Sequence, residues 1–134
     1  MAKLVDIEGI GPAYEAKLKE AGVTTVEDLL KKGATPKGRT DLAAATAISG
    51  KNILRWVNHA DLFRIHGVAG EYAELLEAAG VDTVAELARR RPDNLLAAMT
   101  KTNEEKKLVR VVPSAAMVTK WVEEAKSLPR AVEY

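Results

Sequence analysis

The chain has 134 residues, of which 47% are hydrophobic and only 4% are aromatic, so it allows one ordinary domain or two small ones with Ala, Leu and Val filling the interior. It contains no cysteine, which excludes disulfides, zinc-thiolate sites and thiol nucleophiles. Its 20 basic and 19 acidic residues give a net charge of +1, which argues against a dedicated basic module for nucleic-acid binding.

One segment of the sequence occurs twice. It reads IEGIGPAYEAKLKEAGVTTVEDLL from Ile7 and IHGVAGEYAELLEAAGVDTVAELA from Ile65, so corresponding residues lie 58 positions apart. A second pair of similar segments surrounds the two tryptophans, at an offset of 65, because the second copy gained seven residues before its tryptophan. This internal duplication predicts two repeat units, residues 1–62 and 63–134.

The first unit is predicted to begin with a glycine turn that opens a helix. Gly9 and Gly11 allow the backbone angles of a tight turn, and Pro12 suits the first helical position. Gly22 is expected to end this helix, since glycine adopts the left-handed conformation of a C-terminal cap. The following TTVED contains the capping-box pattern, which predicts that a second helix begins at once.

Two more helices are predicted in the first unit. Pro36 marks the start of the third, and Ser49 is a plausible N-cap for the fourth. Apolar residues of the fourth helix, including Trp56, follow the i, i+3, i+4, i+7 spacing of an amphipathic helix. A tryptophan in such a stripe is more typical of core packing than of an exposed platform for stacking bases.

The second unit is predicted to repeat this order. Thr83 fits an N-cap, Pro92 begins a further helix, and Ser114 precedes the amphipathic helix that contains Trp121. The capping pattern at residues 102–105, TNEE, predicts one additional helix start. The sequence therefore predicts eight or nine helices and no strand, in an all-α fold of two tandem units packed into one compact body.

The turn and helix GIGPAYEAKLKEAG resemble the helix-hairpin-helix motif, in which an apolar-x-Gly-apolar-Gly turn opens a helix. The whole chain is also similar to a bacterial and archaeal family catalogued as a domain of unknown function. That resemblance rests on GIGPAY, LLKKGATPKGR, WVNHADLFRIHGVAGEYAELLEAAGVDTVAEL, RRRPDNL and the final tryptophan helix. It implies two tandem helix-hairpin-helix units along almost the full chain.

The helix-hairpin-helix resemblance implies a non-catalytic module that binds DNA without reading its sequence. In such motifs the backbone N–H groups of the turn contact phosphate, and nearby cations add favourable charge. The residues expected to contact nucleic acid are Gly9, Ile10, Gly11, Pro12, Ala13, Lys17, Lys37, Arg39, Arg89, Arg90 and Arg91.

The second hairpin is expected to be structural only. It consists of Gly67, Val68, Ala69 and Gly70, so that alanine replaces the second glycine of the motif. Three glutamates follow within the next seven residues, and their negative charge would repel a phosphate chain.

Basic residues cluster beyond the hairpins, at Lys31, Lys32, Lys37 and Arg39, at Arg89, Arg90 and Arg91, and at Lys101, Lys106, Lys107 and Arg110. Two alternatives remain open for the first two clusters, which occupy corresponding places in the two copies. They can form two patches at corresponding positions that touch nucleic-acid backbone, or they can complement helix dipoles and stay solvated. The near-neutral charge and the degenerate second hairpin also favour an alternative function. In that alternative the protein is a scaffold for protein–protein interaction and binds no nucleic acid.

His59, Asp61 and His66 are the only residues whose grouping suggests metal or acid–base chemistry. A metal site needs three or four converging ligands, so structural roles are expected for these side chains. We predict no catalytic residue, no metal, no cofactor and no small-molecule substrate. The sequence has neither a signal peptide nor an apolar stretch long enough for a bilayer, which predicts a cytoplasmic protein without membrane association.

Overall fold

The computed structural model describes residues 2–134, and its regular elements are helical. Within this range there is no strand, and the single isolated β-bridge pairs Lys3 with Thr25. After a 3₁₀ turn at Leu4–Asp6, the eight α-helices of this range are α1 (Pro12–Glu20), α2 (Val26–Gly33), α3 (Pro36–Thr46), α4 (Gly50–Leu62), α5 (Gly70–Ala78), α6 (Val84–Leu87), α7 (Pro92–Lys106) and α8 (Ala115–Ser127). The predicted all-α class and number of helices are confirmed. No helix in residues 2–134 has the length and apolar character needed to cross a membrane.

The chain divides into two units. The first ends at Asp61 and also includes Ala131–Tyr134, and the second is Leu62–Arg130. The repeat pattern predicts that the last four residues belong to the second unit, residues 63–134. They group instead with the first unit, because the backbone of Glu133 is hydrogen-bonded to Ala34 and to the side chain of Arg39.

The first unit packs α3 against α2 and α1. Its fully buried side chains come from the 3₁₀ turn, α1, α2 and α4 and include Leu4, Leu18, Leu29, Ile53 and Trp56. The approach of α3 to α2 is close enough that a Cβ on Gly38 would lie 2.1 Å from the carbonyl oxygen of Lys32. Glycine at this position is therefore a requirement of helix packing.

The second unit packs α8 against α6 and α7, and α7 also contacts α5. Its core contains mainly aliphatic side chains together with Trp121, as the low aromatic content predicted. Leu75, Leu76, Leu87 and Leu95 are all fully buried there.

Threonine caps begin the second helix after each hairpin. The Thr25 hydroxyl accepts the Asp28 N–H at 3.1 Å, and the Asp28 carboxylate accepts the Thr25 N–H at 3.2 Å, which completes a capping box. Thr24 donates its hydroxyl and its N–H to the same carboxylate, at 2.7 and 3.1 Å. In the second unit, Thr83 caps α6 by accepting the Glu86 N–H at 3.3 Å. These contacts confirm the predicted N-termini.

The Asp28 carboxylate makes the stability of this cap depend on pH. Hydrogen bonds from the Thr24 hydroxyl and then the Thr24 N–H hold the pKa of Asp28 below its ordinary value. Because the folded-state pKa is depressed, the stabilisation is present above the unfolded-state pKa of about 4 and is lost as pH falls through the folded value. We expect Asp28→Asn to have a lower thermal midpoint than wild type at pH 7. The difference in midpoint between the two proteins should become smaller below about pH 4, where wild-type Asp28 becomes protonated. Thermal unfolding followed by circular dichroism measures this, and Glu20→Gln, at an exposed position of α1, should show no such pattern.

One predicted helix start is wrong. The pattern at residues 102–105 lies inside the last turns of α7, which continues to Lys106 and ends where Lys107 adopts a φ of +52°. No helix-breaking residue separates this pattern from Pro92, so nothing interrupts the helix there. The Asn103 side chain instead bonds to both the N–H and the carbonyl of Val109, which closes the C-terminal end of α7.

Candidate nucleic-acid interface

The first hairpin, Gly9–Ala13, is a tight turn held by two buried isoleucines. Ile10 donates its N–H to the carbonyl of Ile7 at 3.1 Å, and both side chains are buried. Gly9 lies between them with a φ of +99°, a conformation that L-residues with a side chain rarely adopt. The turn therefore fixes the direction in which α1 leaves it.

The surface of the first hairpin is open at the N-terminus of α1. Gly9, Gly11, Pro12 and Ala13 are exposed, while Ile10 is buried. Gly11 is the N-cap residue, no side chain caps the helix, and a Cβ built on Gly11 would meet nothing within 4 Å. The first N–H groups of an α-helix have no partner within the helix, so this terminus presents donors and the positive end of the helix dipole.

A tryptophan supports the turn in each unit. A Cβ on Gly9 would lie 3.2 Å from Nε1 of Trp56, and one on Gly67 would lie 3.3 Å from Nε1 of Trp121. The two indoles are 2% and 3% exposed, which confirms core packing and excludes a stacking platform for bases. Their rings also contact Tyr14 and Tyr72, with centroid distances of 5.0 and 5.3 Å.

Little positive charge surrounds the first hairpin. Lys17 is exposed on α1, and its Nζ lies 5.9 Å from the centroid of the Tyr14 ring. Lys19 pairs with Glu15 at 3.8 Å, so part of the local charge is neutralised. Lys17 is therefore the predicted contact cation that α1 provides.

The second hairpin, Gly67–Gly70, has a similar turn but a different surface. Gly67 has a φ of +86°, and Val68 is buried and donates its N–H to Ile65 at 3.1 Å. Ala69 is the N-cap of α5 and Gly70 is the first helical residue. Glu71 is exposed in the first turn of α5, where an anion would have to dock. A purely structural role of the second hairpin stays a prediction.

A carboxylate also binds the start of the second hairpin. Glu124 on α8 accepts the backbone N–H and the ring Nδ1 of His66, each at 2.9 Å. Burial alone raises the pKa of Glu124, but the hydrogen bonds and charge of His66 outweigh it and hold the pKa below its usual value. The pair fastens the turn to α8 and leaves the imidazole exposed.

The basic cluster of the first unit consists of Lys31, Lys32, Lys37 and Arg39, and two of its lysines have partners within the unit. Lys32 donates its Nζ to the carbonyls of Ala21 and Gly22, both at 3.2 Å, and so caps the C-terminus of α1. Lys37 is exposed but pairs with Asp41 at 3.0 Å. Lys32 therefore fits the interpretation in which a cation complements helix dipoles, whereas Lys37, at the start of α3, is instead neutralised by an ion pair.

The corresponding cluster of the second unit is partly exposed. Arg89 and Arg91 lie on the surface, and Arg91 pairs with Asp93 at 3.5 Å. Arg90 is half-buried, with Nη1 3.7 Å from the position of a Cβ on Gly80. Arg90 and Lys32 thus occupy corresponding places beside the glycine that ends the preceding helix.

The model of a family described as a domain of unknown function, DUF4332, matches residues 8–128. The chain belongs to this family. The DUF4332 match includes all the segments on which the resemblance rests, from GIGPAY to the final tryptophan helix. No curated protein and no solved structure matches the chain.

One predicted contact residue of this DUF4332 protein is not on the surface. Arg39 is only 9% exposed, and its Nη1 donates to the carbonyls of Gly33 and Ala34 at 2.8 and 3.2 Å. Its Nη2 donates to the carbonyl of Glu133 at 2.6 Å. The prediction that Arg39 contacts phosphate is therefore corrected: its guanidinium closes the C-terminus of α2 and binds the last residues of the chain.

Nothing in the sequence of the DUF4332 chain indicates the partners of Arg39. Arg39 and Glu133 are separated by 94 positions, and no repeat or motif links them. The same region includes Tyr134, whose hydroxyl donates to Asn58 Oδ1 at 2.9 Å and whose ring centroid lies 5.8 Å from the Arg39 guanidinium.

The two histidines of the DUF4332 chain lie in different units. His59 and Asp61 are buried on α4 in the first unit, with exposed fractions of 0% and 1%, whereas His66 is on the surface of the second. Among residues 2–134 there is no group of three His, Asp or Glu side chains that could hold a metal ion. His59 and Asp61 are thus part of the interior of the first unit.

Proposed function

We propose that both units are helix-hairpin-helix units and that the protein is a non-catalytic module that binds nucleic-acid phosphates without reading base sequence. The proposed contacts in the first unit are the first hairpin, Gly9–Ala13, with the exposed cations Lys17 and Lys37. The exposed Arg89 and Arg91 are the proposed contacts of the second unit, taken by itself. The observation that carries this proposal is the open, uncapped N-terminus of α1 at an exposed glycine turn.

The helix terminus supplies what a phosphate requires. An anion at this position accepts backbone N–H groups and lies at the positive end of the helix dipole. Gly11 leaves the space in front of the terminus empty, so a phosphate can approach the backbone. None of these contacts involves a base edge, which is why binding should be independent of sequence.

Internal partners of the predicted cations limit the expected affinity. Arg39 is withdrawn from the surface, and Lys37 and Arg91 each have a carboxylate partner. A protein that neutralises about four phosphates of a duplex has a slope of about −3.6 in log K against log salt. We therefore expect weak binding at physiological salt and measurable binding at low salt.

A protein-binding scaffold is the second candidate function. The internal use of the cations favours it, because Lys32 and Arg39 bond to backbone carbonyls of their own unit. The glutamate in the first turn of α5 also makes the second hairpin unsuitable for phosphate. If the protein is such a scaffold, the two hairpins have a structural role only and contact no phosphate.

The substitution Gly11→Asp tests the proposed contact without weakening the fold. Aspartate and asparagine are both better N-caps than glycine, so Gly11→Asp and Gly11→Asn should preserve or slightly raise stability. Only the aspartate adds a negative charge at the phosphate position, which is worth about 1 kcal/mol at 4 Å in water, or about a fivefold change in affinity. We expect Gly11→Asp to raise the dissociation constant for a labelled DNA duplex about fivefold at low salt, measured by fluorescence anisotropy.

The asparagine variant and the salt titration complete this test. Gly11→Asn should bind within about twofold of wild type, since it caps the helix without adding charge. If wild type binds no single- or double-stranded DNA or RNA at low salt, the nucleic-acid proposal is rejected. Equal affinity of the two variants would remove the first hairpin from the interface.

A further inference from the structure

The second unit departs from the repeat at the end of α7. This helix has 15 residues, whereas the corresponding helix α3 has 11. Both helices end at a residue in the left-handed conformation, Lys107 with a φ of +52° and Ala47 with a φ of +58°. Residues 107–114 then lead to α8, whereas residues 47–49 are sufficient to lead to α4. The additional residues of the second copy therefore lie at the end of α7 and in the loop that follows.

This additional segment is basic. Residues 106–111, called here the basic loop, contain the exposed cations Lys106, Lys107 and Arg110 and no acidic residue. Among residues 2–134 no carboxylate forms an ion pair with any of the three, in contrast to Lys37 and Arg91, which each have such a partner. Residues 47–49, in the corresponding place of the first unit, carry no charge. The repeated fold therefore does not require these cations.

Hydrogen bonds within the second unit hold the basic loop in place. The Asn103 side chain bonds to the N–H and the carbonyl of Val109 at 2.9 and 3.1 Å, and Val109 is buried. The Tyr72 hydroxyl donates to the carbonyl of Val111 at 3.1 Å. The Val111 side chain is nevertheless 71% exposed. A partner would thus meet an apolar side chain next to three cations, on a loop that is already ordered and costs little further entropy on binding.

We propose that the basic loop is a docking site for an acidic peptide segment of a partner protein, in which an apolar side chain lies beside the carboxylates. The carboxylates pair with Lys106, Lys107 and Arg110, and the apolar side chain contacts Val111. This site lies in the second unit alone. The inference agrees with the scaffold candidate and does not rest on phosphate binding at the first hairpin.

The surrounding charges favour a peptide over nucleic acid or a membrane. Glu104 and Glu105 are exposed immediately before the basic loop. A continuous anionic surface, such as a duplex or a bilayer of acidic lipids, would meet these glutamates together with the cations and be repelled by them. A peptide can place its carboxylates opposite the cations and leave both glutamates in solvent. Residues 101–111 also contain no aromatic side chain on which a base could stack.

The first experiment titrates a fluorescein-labelled peptide, Asp-Asp-Leu-Asp-Asp-Leu, with the full-length protein at low salt and follows fluorescence anisotropy. We expect a dissociation constant of about 1 mM or tighter, because single ion pairs on an exposed loop are weak. The neutral peptide Asn-Asn-Leu-Asn-Asn-Leu has the same shape and should bind at least about tenfold more weakly. Absence of binding by the acidic peptide, or equal binding of both peptides, overturns the proposal.

Aspartate substitutions locate the contact. Lys107→Asp and Val111→Asp should each weaken binding of the acidic peptide at least about fivefold. Ala47→Asp is the matched control, because it introduces the same residue at the left-handed end of α3, a conformation that aspartate tolerates. It should bind within about twofold of wild type. If circular dichroism shows that Lys107→Asp does not fold, Val111→Asp decides, since it alters an exposed side chain. Equal affinity of Val111→Asp and Ala47→Asp overturns the basic loop as the site.

Two other ligands test the identity of the partner. A labelled DNA duplex and phosphatidylcholine vesicles with about 30% phosphatidylserine present phosphates instead of a peptide. Lys107→Asp should change binding of either by less than about twofold. A fivefold loss for DNA or vesicles, with peptide binding unchanged, assigns the basic loop to a polyanion and overturns the peptide. Gly11→Asp should weaken DNA binding and leave peptide binding intact, so the two proposals fail independently.

Discussion

Replacing Trp56 with alanine is expected to lower the free energy of unfolding by about 3–5 kcal/mol, the range typical of a buried aromatic side chain truncated to alanine. The indole is 2% exposed and contacts both the Tyr14 ring and the first hairpin, so its removal leaves a cavity under the turn. A neighbouring backbone fixed by Ile7 and Ile10 cannot readily collapse into that cavity.

Chemical denaturation followed by two signals measures this loss. Trp121 becomes the only tryptophan of the variant, so fluorescence follows the second unit while circular dichroism at 222 nm follows the helices of both. Val111→Ala, at a side chain that is 71% exposed, should change stability by less than about 0.5 kcal/mol. A loss below about 1 kcal/mol for Trp56→Ala would contradict the packing role of the indole.

Replacing Gly38 with alanine is expected to destabilise the first unit by about 1–3 kcal/mol, the usual cost of overpacking. The sign of this change in the free energy of unfolding is informative, because replacing glycine with alanine within a helix ordinarily stabilises a protein by about 0.5–1 kcal/mol. At Gly38 the added methyl would lie 2.1 Å from the carbonyl oxygen of Lys32, a backbone atom that can move only if α2 and α3 separate.

Gly50 provides the matched control for Gly38. It is the first residue of α4, and a Cβ built there would meet no atom within 4 Å. Gly50→Ala should therefore leave stability unchanged within about 0.5 kcal/mol or raise it slightly. Urea unfolding midpoints of the two variants give the comparison, and a stabilising Gly38→Ala would show that the close approach of α2 and α3 is not required.

Local signals in the sequence predicted most of the helical framework. Pro12, Pro36 and Pro92 each begin a helix, and Thr25, Thr83 and Ser114 each cap one, because these residues act through their own backbone and the next three N–H groups. The apolar spacing around the two tryptophans similarly predicted their burial. The capping pattern at residues 102–105 failed because a local pattern can also occur inside a helix that nothing interrupts.

Predictions for individual cations were less successful. Arg39 and Lys37 are two positions apart in the same basic segment, yet one is buried and the other is exposed. Arg39 is buried because the carbonyls of Gly33, Ala34 and Glu133 meet around its guanidinium. The sequence around position 39 gives no indication of Glu133, which is 94 positions later in the chain.

The sequence by itself determined the helical class, the hairpin glycines, the helix caps and the family, because each depends on interactions within a few residues or on similarity along the chain. Only the tertiary structure decided which charges reach solvent, why Gly38 is required, and that the last four residues return to the first unit. The physical reason is that these properties arise from atoms brought together across long separations in the chain. Burial, close approach and the partners of a charge are set by helix packing, which no local pattern specifies.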